Sequence, residues 1–252
     1  MAGSEKEITV ASLTTDAQFR DAVQLQRTIW GFSETDLLPV RFFVVASKVG
    51  GIILGAFDGP KMVAFCLAIP AIKPGGAPFL HSNMLGVLAE YRDFGLGRRM
   101  KIRQRELALE AGIPLIEWTF DPLELKNAYF NIERLGAIVR RHVRNQYGIS
   151  TSHLHGGMPT DRLTAEWWVR SERASKICAG EKFGNPPIVD RIPVPANVST
   201  LRSTDPTRVR AIQAELADRF EAAFRQDLVV VGMERGEEES AYLLAQFQPE
   251  ML

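Results

Sequence analysis

The chain has 252 residues, of which 46% are hydrophobic and 24% charged. These are ordinary globular values; they exclude a disordered, collagen-like or coiled-coil chain, and at about 150 residues per domain the length corresponds to about 1.7 domains. Thirty Lys and Arg balance thirty Asp and Glu, so global charge draws the chain neither to nucleic acid nor to a membrane surface.

Ile8 to Leu13 reads as a strand, and Thr14-Thr15-Asp16 as the cap of an amphipathic helix that ends near Trp30-Gly31. Pro39 to Val49 reads as a shorter helix. Gly51 to Phe57 and Lys61 to Ile69 are apolar strands around Asp58-Gly59-Pro60, a hairpin signal. Lys73 to Pro78 is a loop, and Phe79 to Leu88 a further strand. Glu90 to Gly97 is a glycine-bearing turn, followed by a helix from Arg98 to Ala111 with Met100, Leu107 and Ala111 on one face. Gly112 stops it. Then come a strand from Ile113 to Phe120, a helix from Glu124 to Leu135 stopped by Gly136, and strands at Ala137 to Tyr147 and Arg162 to Val169. This order predicts an α/β fold with a central mixed sheet flanked by helices.

Prolines 186, 187, 193 and 195 suggest a boundary between Ser171 and Pro195. Beyond it, Val209, Ile212, Leu216, Phe220 and Phe224 form an apolar stripe on a helix from Asp205 to Arg225. Strands at Leu228 to Val231 and Tyr242 to Phe247 flank an acidic turn, Glu234 to Glu239. Two domains are therefore expected: residues 6–170, and a smaller α/β extension, residues 171–252. The Thr204-Asp205 helix start echoes Thr15-Asp16 and raises the question of a partial internal repeat. Two cysteines make no disulfide scaffold, Cys66 reads as a buried thiol, and the first residues form no apolar leader, so the cytoplasm is the expected compartment.

The most informative stretch runs from Leu85 to Arg99. The helix after Gly97 carries Arg98, Arg99, Lys101, Arg103 and Arg105 before its first acidic residue, Glu106. Cations at a helix N-terminus oppose its dipole at about 0.3–1 kcal/mol each. Glycines beside that end leave backbone N–H groups open to close approach. Open donors, a positive dipole end and arginines together describe an anion site, most simply a phosphate or pyrophosphate.

Leu85-x-Val87-x-Ala89-Glu90-Tyr91-Arg92-x-x-Gly95-x-Gly97-Arg98 resembles the signature of the GNAT superfamily of CoA-dependent acyltransferases. The order of elements over residues 6–170 is similar too. The resemblance implies a GNAT-like fold with acetyl-CoA or another acyl-CoA as co-substrate and no metal. It implies that Leu85 and Val87 lie on the strand beside the pantetheine arm. Arg92, Phe94, Gly95, Leu96, Gly97 and Arg98 would then form the pyrophosphate turn. The family's general-acid tyrosine commonly sits four residues before the glycine ending the next helix; that position is Ile132. Its CoA-contacting asparagine falls on Leu125, with Asn127 two residues on.

Acyl transfer to an amine needs a proton acceptor, a polarised carbonyl and a stabilised thiolate. Glu117 interrupts an otherwise apolar strand and is the first candidate base. His81 is the second; period-two counting puts it on the same side as Leu85 and Val87. Arg140, Arg141, His142 and Arg144 form either a solvated strand edge or a grip on a substrate carboxylate. Trp30, Phe32 and Phe42 are candidates for an acceptor pocket as well as for the core. His153 and His155 beside Gly156-Gly157 make a poor metal site. The expected activity is acyl transfer from acyl-CoA to an amine of a small molecule, an amino acid among the candidates. The alternatives are a non-catalytic CoA-binding module and a dimerisation module; a homodimer fits either course.

Overall fold

The computed structural model describes residues 7–148 and 158–252. The chain divides into two compact units, one ending at Ile116 and one beginning at Glu117.

The first unit opens with β1 (Ile8–Ser12) and α1 (Asp16–Trp30). Thr15 caps α1: its side chain accepts from the Gln18 N–H, while the Gln18 side chain accepts from the Thr15 N–H. Gly31 ends the helix in the left-handed conformation. α2 (Val40–Lys48) follows, then β2 (Ile52–Asp58), β3 (Lys61–Ile72) and β4 (Pro78–Val87). The four strands lie in the order β1-β2-β3-β4, each antiparallel to the next. After β4 a 3-10 turn (Ala89–Tyr91) leads into α3 (Leu96–Glu110), and Gly112 at φ +71° ends it. Leu54, Phe65, Leu67 and Leu80 are fully buried on these strands, with Phe43 and Met100 from α2 and α3.

β5 (Leu115–Phe120) runs into the second unit. There follow α4 (Leu125–Tyr129), a π-turn (Phe130–Arg134), β6 (Ile138–Val143) and β7 (Arg162–Trp168). Then come α5 (Glu172–Ala179), β8 (Ile188–Pro195), α6 (Val198–Thr204), α7 (Pro206–Arg225), β9 (Leu228–Glu234) and β10 (Glu239–Gln246). The strand order here is β5-β7-β6-β9-β10-β8. Asp205 caps α7 through the Arg208 N–H, and Pro206 opens it.

The α/β class expected from the sequence stands, and so do most elements. Three were not foreseen: α5, β8 and α6. The prolines that suggested a linker lie within or just before β8, which among the described residues pairs only with β10. A strand with one free edge tolerates residues that cannot donate to a ladder. The echo between the two helix starts is matched by element order, since strand, two helices and two strands recur from β8 to β10. Pairing differs, however: β1 pairs with the first strand of its hairpin, β8 with the second. The division at residue 116 also differs from the boundary expected at 170, because β6, β7 and all of β5 but Leu115 and Ile116 lie in one unit with β8 to β10. No helix among the described residues is long and apolar enough to cross a membrane.

Candidate functional site

The glycine turn lies wholly in the first unit. Tyr91 is buried, and its hydroxyl donates to Asp58 Oδ2 at 2.6 Å, tying the turn to the β2–β3 hairpin. Arg92 Nε donates to the Val87 carbonyl at 3.1 Å, folding its side chain back over the end of β4. Asp93 at φ +64° and Gly95 at φ +70° reverse the chain. An aspartate tolerates that region better than most side chains, and a glycine occupies it without penalty. Phe94 between them is 74% exposed.

α3 starts two residues earlier than expected, so Gly97 lies in its first turn rather than before it. Gly95 is the N-cap and offers no side chain to the first N–H groups; the first turn holds no acidic residue. Apart from its chain neighbours and the helix's own backbone, no heavy atom of the described residues lies within 4 Å of the place where a Cβ on Gly95 would sit. An α-helix leaves its first four N–H groups without intrahelical acceptors. Here they face an uncapped, open approach at the positive end of a helix 15 residues long. That geometry suits a diphosphate.

The surrounding cations are sorted by the structure. Arg99 Nη2 donates to the Ile8 carbonyl at 2.6 Å, and Arg103 pairs with Glu106 and Glu110. Lys101 does not join the surface at all. It is 2% exposed, donating to Ser82 Oγ at 2.8 Å and to Gln104 Oε1 at 3.0 Å; Gln104 Nε2 reaches Cys66 Sγ at 3.7 Å. Burial pushes the Lys101 amine down from 10.5 to about 7, and pushes the Cys66 thiol up to about 11. The buried stripe of α3 is Leu96, Met100, Gln104 and Ala108, with Lys101 beside it, instead of Met100, Leu107 and Ala111. Steps of four from Leu96 would have found it.

β4 carries one extra residue. Leu67 pairs with Met84 while its neighbour Ala68 pairs with Ser82, which leaves Asn83 as a bulge, its side chain exposed. The bulge breaks the period of two. His81 therefore shares a face with Met84 and Gly86, not with Leu85 and Val87 as counting predicted. A Cβ on Gly86 would meet Trp30 Cη2 at 2.5 Å, so that face lies under the end of α1. Ser82, Leu85 and Val87 lie on the face toward Lys101 of α3. Trp30 stacks on Phe32 at 5.6 Å and meets Phe65 edge-on at 5.8 Å, which ties it into the core.

In the second unit Glu117 is 4% exposed, and its Oε1 accepts from Arg141 Nη2 at 2.7 Å. Arg141 Nε also lies 3.7 Å from Glu166, which Arg140 holds at 2.6 Å. Arg144 pairs with Glu221 and Asp218, and His142 Nδ1 lies 3.3 Å from Glu221. The arginines near β6 thus meet carboxylates of their own chain, and the buried Glu117 and Glu166 require such partners. Asn127 is exposed on α4. Ile132 is fully buried in the π-turn. His153, His155 and the glycines beside them lie outside the described residues.

No protein-family model matches the chain, and no curated protein matches it in sequence. Solved structures do match in fold. A putative acetyltransferase of the GNAT family from Desulfovibrio desulfuricans aligns at TM-score 0.51 and 11% identity, over 64% of this chain and 99% of its own. Aminoglycoside 6'-acetyltransferase type Ii aligns at 0.51 and 17%, over 64% and 97%. The NatC complex bound to Gag peptide and CoA aligns at 0.50 and 14%, over 64% and 97%. The fold is that of the GNAT acetyltransferases, with about a third of this chain outside the alignment.

Proposed function

We propose that this protein transfers an acetyl or another short acyl group from acyl-CoA to an amine of a small molecule, an amino acid among the candidates. The observation that carries the proposal is the uncapped start of α3, where Gly95 and the absence of first-turn acids leave backbone N–H groups open to a diphosphate. Arg92, Phe94, Gly95, Leu96, Gly97 and Arg98 are the proposed pyrophosphate contacts; Leu85, Val87 and Asn127 are proposed to line the rest of the cofactor. Residues 6–170 are the proposed catalytic domain and 171–252 its extension. Neighbours that acetylate an aminoglycoside or bind a peptide with CoA accord with acyl transfer and leave the acceptor to experiment. A cytoplasmic setting belongs to the proposal, and the two free cysteines accord with it.

The thioester supplies an activated acyl carbon. The amine nitrogen bonds to that carbon, the carbon–sulfur bond breaks, and the proton shed by nitrogen is taken up by the protein or water. Glu117 is the proposed base, with Arg141 holding its carboxylate in one orientation. His81 is the second candidate. Ile132 leaves the thiolate no phenol at the family's usual position, and a CoA thiolate is a good enough leaving group to depart without one. The same buried isoleucine favours a second reading, a GNAT-like protein that binds CoA without turnover.

CoA should raise the melting temperature, since a ligand bound only by the native state stabilises it by mass action. Gly97→Glu places a carboxylate beside the first-turn donors and should abolish that rise while the unliganded melt stays close to wild type. An unchanged rise in the variant would remove the turn from the site. Thiol release with acetyl-CoA and succinyl-CoA, screened against amines, amino acids and peptides, separates the enzyme from the binding module.

A further inference from the structure

The segment from Asp121 to Gly136 is gripped by residues that follow Ser171. At its start, Arg202 of α6 places Nη2 2.6 Å from Asp121 Oδ2 and 3.6 Å from Glu124 Oε1. The buried Tyr242 hydroxyl of β10 donates to the Pro122 carbonyl at 2.6 Å. Near its end, the Met233 N–H of β9 donates to Glu133 Oε1 at 2.7 Å. At its close, buried Arg173 of α5 donates from Nη2 to the Ile132 carbonyl at 3.1 Å and from Nε to the Gly136 carbonyl at 3.3 Å; its Nη1 is fixed by Asn185 Oδ1 at 3.1 Å.

Four elements of the extension therefore send polar groups to one short stretch. An appendage grown for solubility or for docking would have no reason to do so. The stretch has two features that call for support. Carbonyls at and beyond a helix end need partners from outside it; Arg173 takes the Gly136 carbonyl and adds a side-chain donor to the Ile132 carbonyl, which already accepts from the Leu135 and Gly136 N–H groups. A π-turn is a rare, weakly self-sustaining form found at functional sites more often than chance. This one holds Asn131 at 1% exposure, with Nδ2 finding no acceptor among the described residues. A buried donor left in this way calls for an explanation.

We infer that Arg173 and Arg202 are positioning residues through which the extension fixes Asp121–Gly136, and with it the Asn131 amide, for acyl transfer. The inference rests on the acyltransferase reading. The extension is then part of the catalytic apparatus, although it touches neither substrate nor cofactor in this role.

The test uses the full chain and two variants, Arg173→Met and Arg202→Met, with Arg202→Lys as the conservative replacement. Hydrogen exchange is followed in peptides covering 121–136, with peptides from β2 and β3 as the control, and kcat and KM for acetyl-CoA are measured by thiol release. Loss of a charge-assisted hydrogen bond should speed exchange in 121–136 about tenfold or more and leave the control unchanged. kcat should fall by about tenfold with KM for acetyl-CoA within about twofold, since an interaction that positions the reacting groups is realised in the transition state. Arg202→Lys keeps a cation on Asp121 and should recover most of both effects. Wild-type exchange in 121–136, exchange raised evenly over the whole second unit, or an unaltered kcat would each overturn the inference. If Arg173→Met does not fold, the Arg202 pair decides alone. A wild-type chain that releases no thiol sinks the acyl-transfer reading and the catalytic half of the inference, while exchange still decides whether the brace exists.

Discussion

Lys101 shows what a single buried charge does to the first unit. In the unfolded chain its amine keeps a proton up to about 10.5, in the folded protein only up to about 7. Between those values the unfolded chain binds more protons, so stability rises with pH there, by at most about 1.4 kcal/mol per unit. Cys66 acts in the other direction. Its thiol is pushed from 9.0 to about 11, so the unfolded chain loses that proton first and stability falls as pH climbs through that range. The two oppose each other above pH 9, and the lysine acts alone from 7 to 9. Urea unfolding of the wild type at pH 7, 8 and 9 should show a rising free energy relative to Lys101→Met at the same pH values. Equal slopes in the two proteins would mean that the amine is not buried as described. The variant leaves Ser82 and Gln104 without their donor, so its absolute stability is a poorer guide than the slope.

Gly136 is where two elements meet too closely for a side chain. Its φ is +80°, and a Cβ there would lie 3.2 Å from the Ala174 Cα and 3.2 Å from Ile177 Cδ1 of α5. The strained φ costs about 1 kcal/mol and the overpacking about 1–3 kcal/mol more. Gly136→Ala should therefore lower the unfolding free energy by about 2–4 kcal/mol, read from the urea midpoint at constant slope. A loss under about 0.5 kcal/mol would show that α5 gives way. The helix stop at Gly136 was readable from composition, and its contact with α5 was not. That division holds along the chain. Caps and stops such as Thr15, Gly112 and Asp205 act within a few residues of themselves, so local sequence carries them. The bulge at Asn83 adds one residue to an ordinary strand, and the π-turn one residue to an ordinary helix; neither leaves a compositional mark. The bulge alone moved His81 to the other face of β4. Partners are equally hidden: Glu117 and Arg141 stand 24 positions apart, Arg144 and Glu221 77. The glycine turn was legible because its chemistry is backbone chemistry, concentrated between Arg92 and Arg98.

At the scale of the whole chain, a boundary after residue 170 would require residues 6–170 to keep their own core. Within the second unit, contacts cross that boundary. Ile138 is 1% exposed in a cluster with Val229, Val231 and Ala245, against which Trp168, Phe247 and Met251 also pack. Every member except Ile138 and Trp168 lies beyond residue 170. Removing 171–252 would uncover both of those side chains and take Arg202 from Asp121 and the Met233 N–H from Glu133. It would also strip β9 from β6, where Val230 pairs with Val139. Uncovering one large apolar side chain costs about 1.5–3 kcal/mol, against a whole-domain stability of about 5–15 kcal/mol. Lost hydrogen bonds to buried carbonyls add about 1–3 kcal/mol each. In a chain of residues 1–170, peptides covering 121–170 should therefore lose their protection from amide exchange, while peptides of the first unit, whose core lies before Ile116, keep theirs. Protection in 121–170 equal to that of the full chain would establish residues 6–170 as an independent domain and return the extension to the role of an appendage.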